Sequence, residues 1–137
     1  MASIFSRIIS GEIPSYKVAE DDRCYSFLDI RPIVFGHTLV IPKLEVDYYF
    51  DLDDEYIAHL NVFAKKVAKV LKEHVPCKRI GVMVAGLEVP HAHIHLIPMN
   101  TISDLSFSNE RPEISKERLE ELAAKLFTVF QEENTGR

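Results

Sequence analysis

Pro90-His91-Ala92-His93-Ile94-His95-Leu96-Ile97-Pro98 alternates polar and apolar residues between two prolines. Such alternation is the pattern of a half-buried β-strand, in which successive side chains point to opposite faces. His91, His93 and His95 then share one face, roughly 6.5 to 7 Å apart along the strand. Ala92, Ile94 and Leu96 enter a core from the other face. Three of the six histidines in the chain thereby line one short platform.

Three uses of that platform differ in their chemistry. A solvated edge face is served better by Thr, Ser, Lys or Glu than by imidazole. A metal site is open to three neutral imidazoles, which can hold a catalytic zinc, although the nearest carboxylate is Glu88. Nucleophilic catalysis by one imidazole, with the others managing charge and protons, is the third and favoured use. An unperturbed imidazole titrates near pH ~6.5 and is mostly unprotonated at neutral pH.

Outward from the platform, the chain reads as a short helix at 4–9, strands at 16–19, 24–30 and 37–41, and a long amphipathic helix at 53–74. A strand at 78–84, the histidine strand, and a last helix opened by Ser115 complete it. Ser3 can cap the first helix and Gly11 can stop it. Pro76 ends the long helix. Residues 100–112 read as loop, and 131–137 are expected to fray. This order predicts an α+β fold on a mainly antiparallel five-stranded sheet, with a long central helix and a C-terminal helix.

At 137 residues the chain is expected to form a single domain, 1–137, large enough for its own core. No apolar run approaches the ~20 residues of a membrane span, and the N-terminus lacks the apolar stretch of a secretory signal. A cytoplasmic location, without membrane association, is the expectation. Cys24 and Cys77 show no paired spacing and read as buried thiols. A net charge of −5 argues against a nucleic-acid surface. Lys65, Lys66, Lys69 and Lys72 read as the solvated face of the long helix, and His59 and His74 as incidental to it.

The run from His91 to Ile97 resembles the His-x-His-x-His signature of the histidine-triad (HIT) superfamily. Residues 3–14, Ser-Ile-Phe-Ser-Arg-Ile-Ile-Ser-Gly-Glu-Ile-Pro, resemble the opening of its Hint branch, the histidine-triad nucleotide-binding proteins. Residues 21–30, Asp-Asp-Arg-Cys-Tyr-Ser-Phe-Leu-Asp-Ile, and 36–43, Gly-His-Thr-Leu-Val-Ile-Pro-Lys, match further blocks in order. The resemblance implies a hydrolase or transferase for purine nucleoside 5′-phosphate derivatives, phosphoramidates and aminoacyl-adenylates foremost. In it His93 attacks phosphorus to give a nucleotidyl-histidine, His91 and His95 hold oxygens and manage protons, and His37 orients the array. Phe5, Ile8, Ile13, Phe27 and Ile30 are implied to wall a purine slot, and Asp29 to accept from ribose hydroxyls, beside its simpler reading as a turn residue. Gly86, Glu88 and Val89 are implied to border the phosphate. Dinucleoside polyphosphate hydrolysis and a nucleotide-binding regulator with vestigial turnover are the alternatives. A homodimer is implied as well, with no cofactor.

Two departures qualify the likeness. Bacterial relatives carry a zinc-binding Cys-x-x-Cys where this chain has Ser3 and Ser6, and a histidine where it has Glu45. Hydroxyls replace thiolates poorly as zinc ligands, so no metal is expected. Relatives also place an asparagine and a hydroxyl donor before the first histidine, whereas this chain has Leu87 and Glu88 there. An ionised glutamate beside a phosphate repels it.

Overall fold

The computed structural model describes residues 2–134. Five strands, β1 (Tyr16–Glu20), β2 (Cys24–Leu28), β3 (Thr38–Pro42), β4 (Arg79–Met83) and β5 (Ile94–Met99), form one sheet in the order β1-β2-β3-β5-β4. Every neighbouring pair is antiparallel. Helices α1 (Ile4–Ile9), α2 (Asp54–His74) and α3 (Lys116–Asn134) complete the α+β architecture.

Alternation along the strands sorts side chains onto two faces. Cys24, Leu28, Val40, Ile94 and Leu96 pack with Leu60, Phe63, Val67 and Leu71 of α2 and with Leu122 and Leu126 of α3. Burying each of the larger aliphatic and aromatic side chains contributes about 1.5–3 kcal/mol, so this layer is the main source of stability. On the opposite face Tyr25, Phe27, Leu39 and Ile41 pack with Phe5 and Ile8 of α1. That thinner face carries the histidines, with His95 paired to Leu39 in the β3–β5 ladder.

Local chemistry sets the element ends. The Ser3 side chain accepts from the Ser6 amide to cap α1, and Asp53 does the same for α2 through Tyr56. Asp54 and Glu55 add negative charge in the first turn of α2. Gly36 has φ +94, and a Cβ there would lie 3.0 Å from Pro98 Cγ. Glycine is therefore required at the turn that delivers His37 to the sheet.

The structure corrects several boundaries. β5 begins at Ile94 rather than before His91, because the amides of His91 and Ala92 bond Val89 O at 2.8 Å and Val46 O at 2.6 Å instead of joining a ladder. Inward burial of Ala92 nonetheless continues the alternation. β2 stops at Leu28, since the Asp29 carboxylate turns back onto the Arg31 amide at 2.8 Å. Ile30 thereby leaves the strand and is 72 % exposed. His37 directly precedes β3, and β4 is shorter at both ends than expected. A 3-10 turn at Ile102–Leu105 interrupts the loop after β5. Residues 131–134 continue α3, while 135–137 lie outside the described residues. Cys24 is buried but Cys77 is only partly so. Among the described residues no helix is long and apolar enough to cross a membrane.

Candidate active site

His93 stands at the centre of the site. Its Nδ1 lies 2.7 Å from the His91 carbonyl oxygen, which can only accept, so Nδ1 carries the proton. In the neutral ring Nε2 then holds a free lone pair. The ring of Phe5 meets that of His93 edge-on at a centroid distance of 5.2 Å, fixing its tilt.

His95 is built the opposite way. The Ile33 amide donates to His37 Nδ1 at 3.0 Å, which puts the His37 proton on Nε2. That proton goes to His95 Nδ1 at 2.9 Å, leaving His95 with an Nε2–H as its donor for a ligand. Burial pushes His37 down to about 4, with the Arg111 charge adding to the effect, and pushes His95 down to about 3, with His93 adding. Both are neutral at physiological pH, so His95 can meet a ligand's charge only as a dipole and not as a cation.

His91 does not face the cleft. It has no exposed surface, its Nε2–H is donated to Pro42 O at 2.8 Å, and its Nδ1 accepts from the Ser3 hydroxyl at 2.8 Å. Burial also lowers its pKa. Its carbonyl, not its ring, reaches toward the chemistry.

A cleft of about 390 Å³ opens in front of His93 and His95. Phe5, Ile8, Ile13, Phe27, Ile30 and Val89 give it apolar walls, and Asp29, Glu88, Arg31 and Arg111 stand among its polar groups. The structure thus brings together nearly all of the sequence-predicted site residues. Gly86, with φ +78, lies apart from them, in a separate hollow of about 200 Å³ that shares His93 with the cleft. Glu88 is exposed at the rim. Asp29 is a turn residue, one oxygen accepting from the Arg31 amide, and it also lines the cleft, with its other oxygen 3.7 Å from His37 Nε2.

Leu39, Phe107 and Arg111 were not foreseen. Leu39 lines the cleft. Phe107 packs its ring 4.9 Å from that of His95, and the Arg111 guanidinium donates to Arg31 O and to Phe107 O. Both sit in a polar loop with no motif; a lone aromatic and a lone cation were the only signals. His59, expected to be incidental, pairs with Asp21 at 2.8 Å.

Ser3, Ser6 and Glu45 do converge, and His91 Nδ1 joins them. Their donors are two hydroxyls, a carboxylate and one imidazole, bonded to one another rather than arranged as free lone pairs. That set does not fit a zinc ion, which favours thiolate and imidazole. The three imidazoles of the triad do not form a metal cage either, because both ring nitrogens of His91 are taken.

Three alternating histidines leading into a strand of an antiparallel sheet, two of them lining an apolar-walled cleft and the third buried behind it, define a histidine-triad protein. Residues 10–102 match the family model described as HIT domain, and the chain belongs to the HIT family, on its Hint-like branch. It is 41% identical over 102 residues to an uncharacterized HIT-like protein of Borreliella burgdorferi, covering 69% of this chain and 73% of that one. With the adenosine 5′-monophosphoramidase of Saccharomyces cerevisiae it shares 41% identity over 98 residues, 71% of this chain and 62% of that protein. A hypothetical histidine triad nucleotide-binding protein from Sulfolobus tokodaii superposes with a TM-score of 0.81 at 30% identity, covering 94% of this chain and 92% of that one. The Zn-bound histidine triad family protein from Mycobacterium smegmatis superposes at 0.79 with 26% identity, covering 100% of this chain and 99% of the other.

Proposed function

We propose that the protein is a metal-independent, cytoplasmic nucleotide hydrolase that cleaves purine nucleoside 5′-phosphoramidates and aminoacyl-adenylates through a nucleotidyl-His93 intermediate. The observation that carries this reading is the hydrogen bond from His93 Nδ1 to the His91 carbonyl, which leaves Nε2 as a lone pair beside the cleft. The relatives named adenosine 5′-monophosphoramidase support the substrate class.

In the first step Nε2 forms a bond to the α-phosphorus, the bond from phosphorus to the leaving nitrogen or oxygen breaks, and water supplies the proton that the leaving group takes up. In the second, water attacks the same phosphorus, the P–Nε2 bond breaks, one proton returns to solvent, and the nucleoside monophosphate departs. Splitting the displacement in two is the gain of covalent catalysis. His95 Nε2–H and Arg111 face the charge that develops on the nonbridging oxygens. Phe5, Ile8, Ile13, Phe27 and Ile30 take the base, and Asp29 the ribose.

Hydrolysis of dinucleoside polyphosphates is the second reading. It draws on Arg31 and Arg111, which line both the cleft and an adjoining open hollow of about 690 Å³. A homodimer is part of the same proposal, supported by exposed Val82 and Val84 at the β4 edge of the sheet and Val62 on α2; sedimentation at two concentrations tests it.

The decisive experiment incubates chelator-treated protein with adenosine 5′-phosphoramidate, follows AMP release, and traps an adduct for mass spectrometry. Turnover that His93→Ala abolishes, with an AMP-sized adduct on His93, supports the reading. Tight AMP binding without turnover points to a regulator, and turnover that needs added zinc sinks the metal-free mechanism.

A further inference from the structure

Ser3, Ser6 and Glu45 take no part in the cleft, yet the hydrogen bonds they make run toward it in one direction. Glu45 Oε1 accepts from the Ser3 amide at 2.6 Å and from the Ser6 hydroxyl at 2.7 Å. These two bonds, with a smaller contribution from the Ser3 side chain, hold its carboxyl down at about 2, so it remains an acceptor at any working pH. The Ser6 amide donates to Ser3 Oγ at 3.0 Å. Because the His91 ring carries its proton on Nε2, its Nδ1 can only accept, and the Ser3 hydroxyl donates to it at 2.8 Å. At the far side of the same ring, Nε2–H goes to Pro42 O at 2.8 Å.

Only one proton arrangement satisfies all of these contacts. Moving the His91 proton to Nδ1 would set a ring lone pair against the lone pairs of Pro42 O in a site with no access to water, and would remove the acceptor to which the Ser3 hydroxyl donates. The ring is therefore pinned at both ends, by α1 on one side and by the end of β3 on the other. Between them sits the irregular backbone of residues 91–93, which lies outside the ladder, its Ala92 amide bonded to Val46 O. Its carbonyl at His91 takes the His93 proton.

We propose that Ser3, Ser6 and Glu45 are positioning residues: a hydrogen-bonded clasp that fixes His91 in its Nε2–H tautomer and thereby sets the carbonyl that aims His93. The last link rests on the reading of His93 as nucleophile; the clasp and the tautomer do not. A chain of oriented partners behind a ring is what sets its tautomer and direction, and loss of such a partner typically costs 10- to 100-fold in function.

The clasp must be separated from the plain capping of α1, since Ser3 does both. Ser3→Asp keeps a cap acceptor for the Ser6 amide but brings no proton to His91 Nδ1. Ser3→Thr keeps both the acceptor and the proton. Ser6→Ala cuts the side-chain link to Glu45 without touching the cap oxygen.

Long-range proton–nitrogen NMR of the histidine rings reads the tautomer, and steady-state kinetics with adenosine 5′-phosphoramidate read the consequence. The expected result is an Nε2–H His91 in the native protein and in Ser3→Thr, lost in Ser3→Asp. In Ser3→Asp kcat falls on the order of tenfold while KM stays within about twofold; Ser6→Ala shifts both readouts the same way by less. A Ser3→Asp protein with the native His91 tautomer and native kcat overturns the clasp and leaves Ser3 a helix cap. Stoichiometric zinc in the native protein that Ser3→Asp releases also overturns it. If Ser3→Asp loses the tautomer while His93→Ala keeps turnover, the clasp stands and the reading of His93 falls.

Discussion

His37 Nε2 donates to His95 Nδ1 at 2.9 Å, and that one proton determines what His95 can offer a ligand. With Nδ1 acting as acceptor, the His95 proton must sit on Nε2. His37, 1 % exposed, can reach a ligand only through the His95 ring. His37→Ala frees His95 to take either tautomer, and kcat is expected to drop roughly 10- to 100-fold. KM changes less, because the apolar walls that hold the base are untouched. Equal losses in His37→Ala and His37→Gln would contradict this account, since the glutamine amide can still donate.

Stability should fall on mild acidification. His37, His91 and His95 have folded pKa values below that of a free imidazole, chiefly through burial. Below about pH 6.5 the unfolded chain binds protons that these rings refuse in the folded state, so stability declines as pH falls. It is undiminished by these groups above about pH 6.5, and the loss continues down to about 4 for His37 and about 3 for His95. Each such ring steepens the dependence by up to about 1.4 kcal/mol per pH unit. Urea midpoints taken between pH 7 and pH 5 check this, and His95→Asn is expected to shallow the slope. A flat profile across that range rules it out.

The histidine platform was legible because its cause is a period-two pattern, and the faces of Ala92, Ile94 and Leu96 follow from it. What the pattern could not reveal is that residues 91–93 lie outside the ladder. Alternation reports which side of a layer a residue occupies, not whether its amide has a strand partner. For the same reason the sequence put the ring of His91 beside the substrate, when its environment is set by Ser3 and Pro42, far away along the chain. Helices α2 and α3 were legible to within a few residues, since apolar spacing and the caps Asp53 and Ser115 agree. Phe107 and Arg111 were not, because the segment between β5 and α3 has no periodicity and its approach to His95 is a matter of tertiary packing.

Glu88 stands where the family resemblance implies a polar donor, and the structure puts it at the rim of the cleft. As an exposed carboxylate it repels a bound phosphate through solvent, an effect of modest size that salt screens. Glu88→Gln is expected to tighten AMP binding by about twofold to fivefold at low ionic strength and hardly at all in 0.3 M salt. Calorimetric titrations at two salt concentrations measure it. Weaker AMP binding in the variant would instead assign Glu88 a direct contact, as with an amine of the leaving group.

Arg111 is the counterweight to Glu88, a cation that its loop holds at the cleft. Its guanidinium is anchored by the carbonyls of Arg31 and Phe107 and stacks 6.0 Å from the Phe107 ring. Phe107 in turn braces His95. With His37 and His95 neutral, Arg111 is a permanent charge able to meet a phosphate there, and its charge also helps keep those rings unprotonated. Arg111→Met keeps much of the length and the contact with Phe107 but removes the charge. KM for a phosphoramidate is expected to rise on the order of tenfold, the salt dependence of binding to weaken, and the pKa values of His37 and His95 to move upward. Arg111→Lys restores the charge without the planar fork and should recover only part of the affinity. A dinucleoside polyphosphate, which places more negative charge toward the adjoining hollow, should lose more than a phosphoramidate does in Arg111→Met. Equal losses for the two substrates would remove the observation on which the polyphosphate reading rests, and unchanged KM values would show that the guanidinium serves only to close its loop.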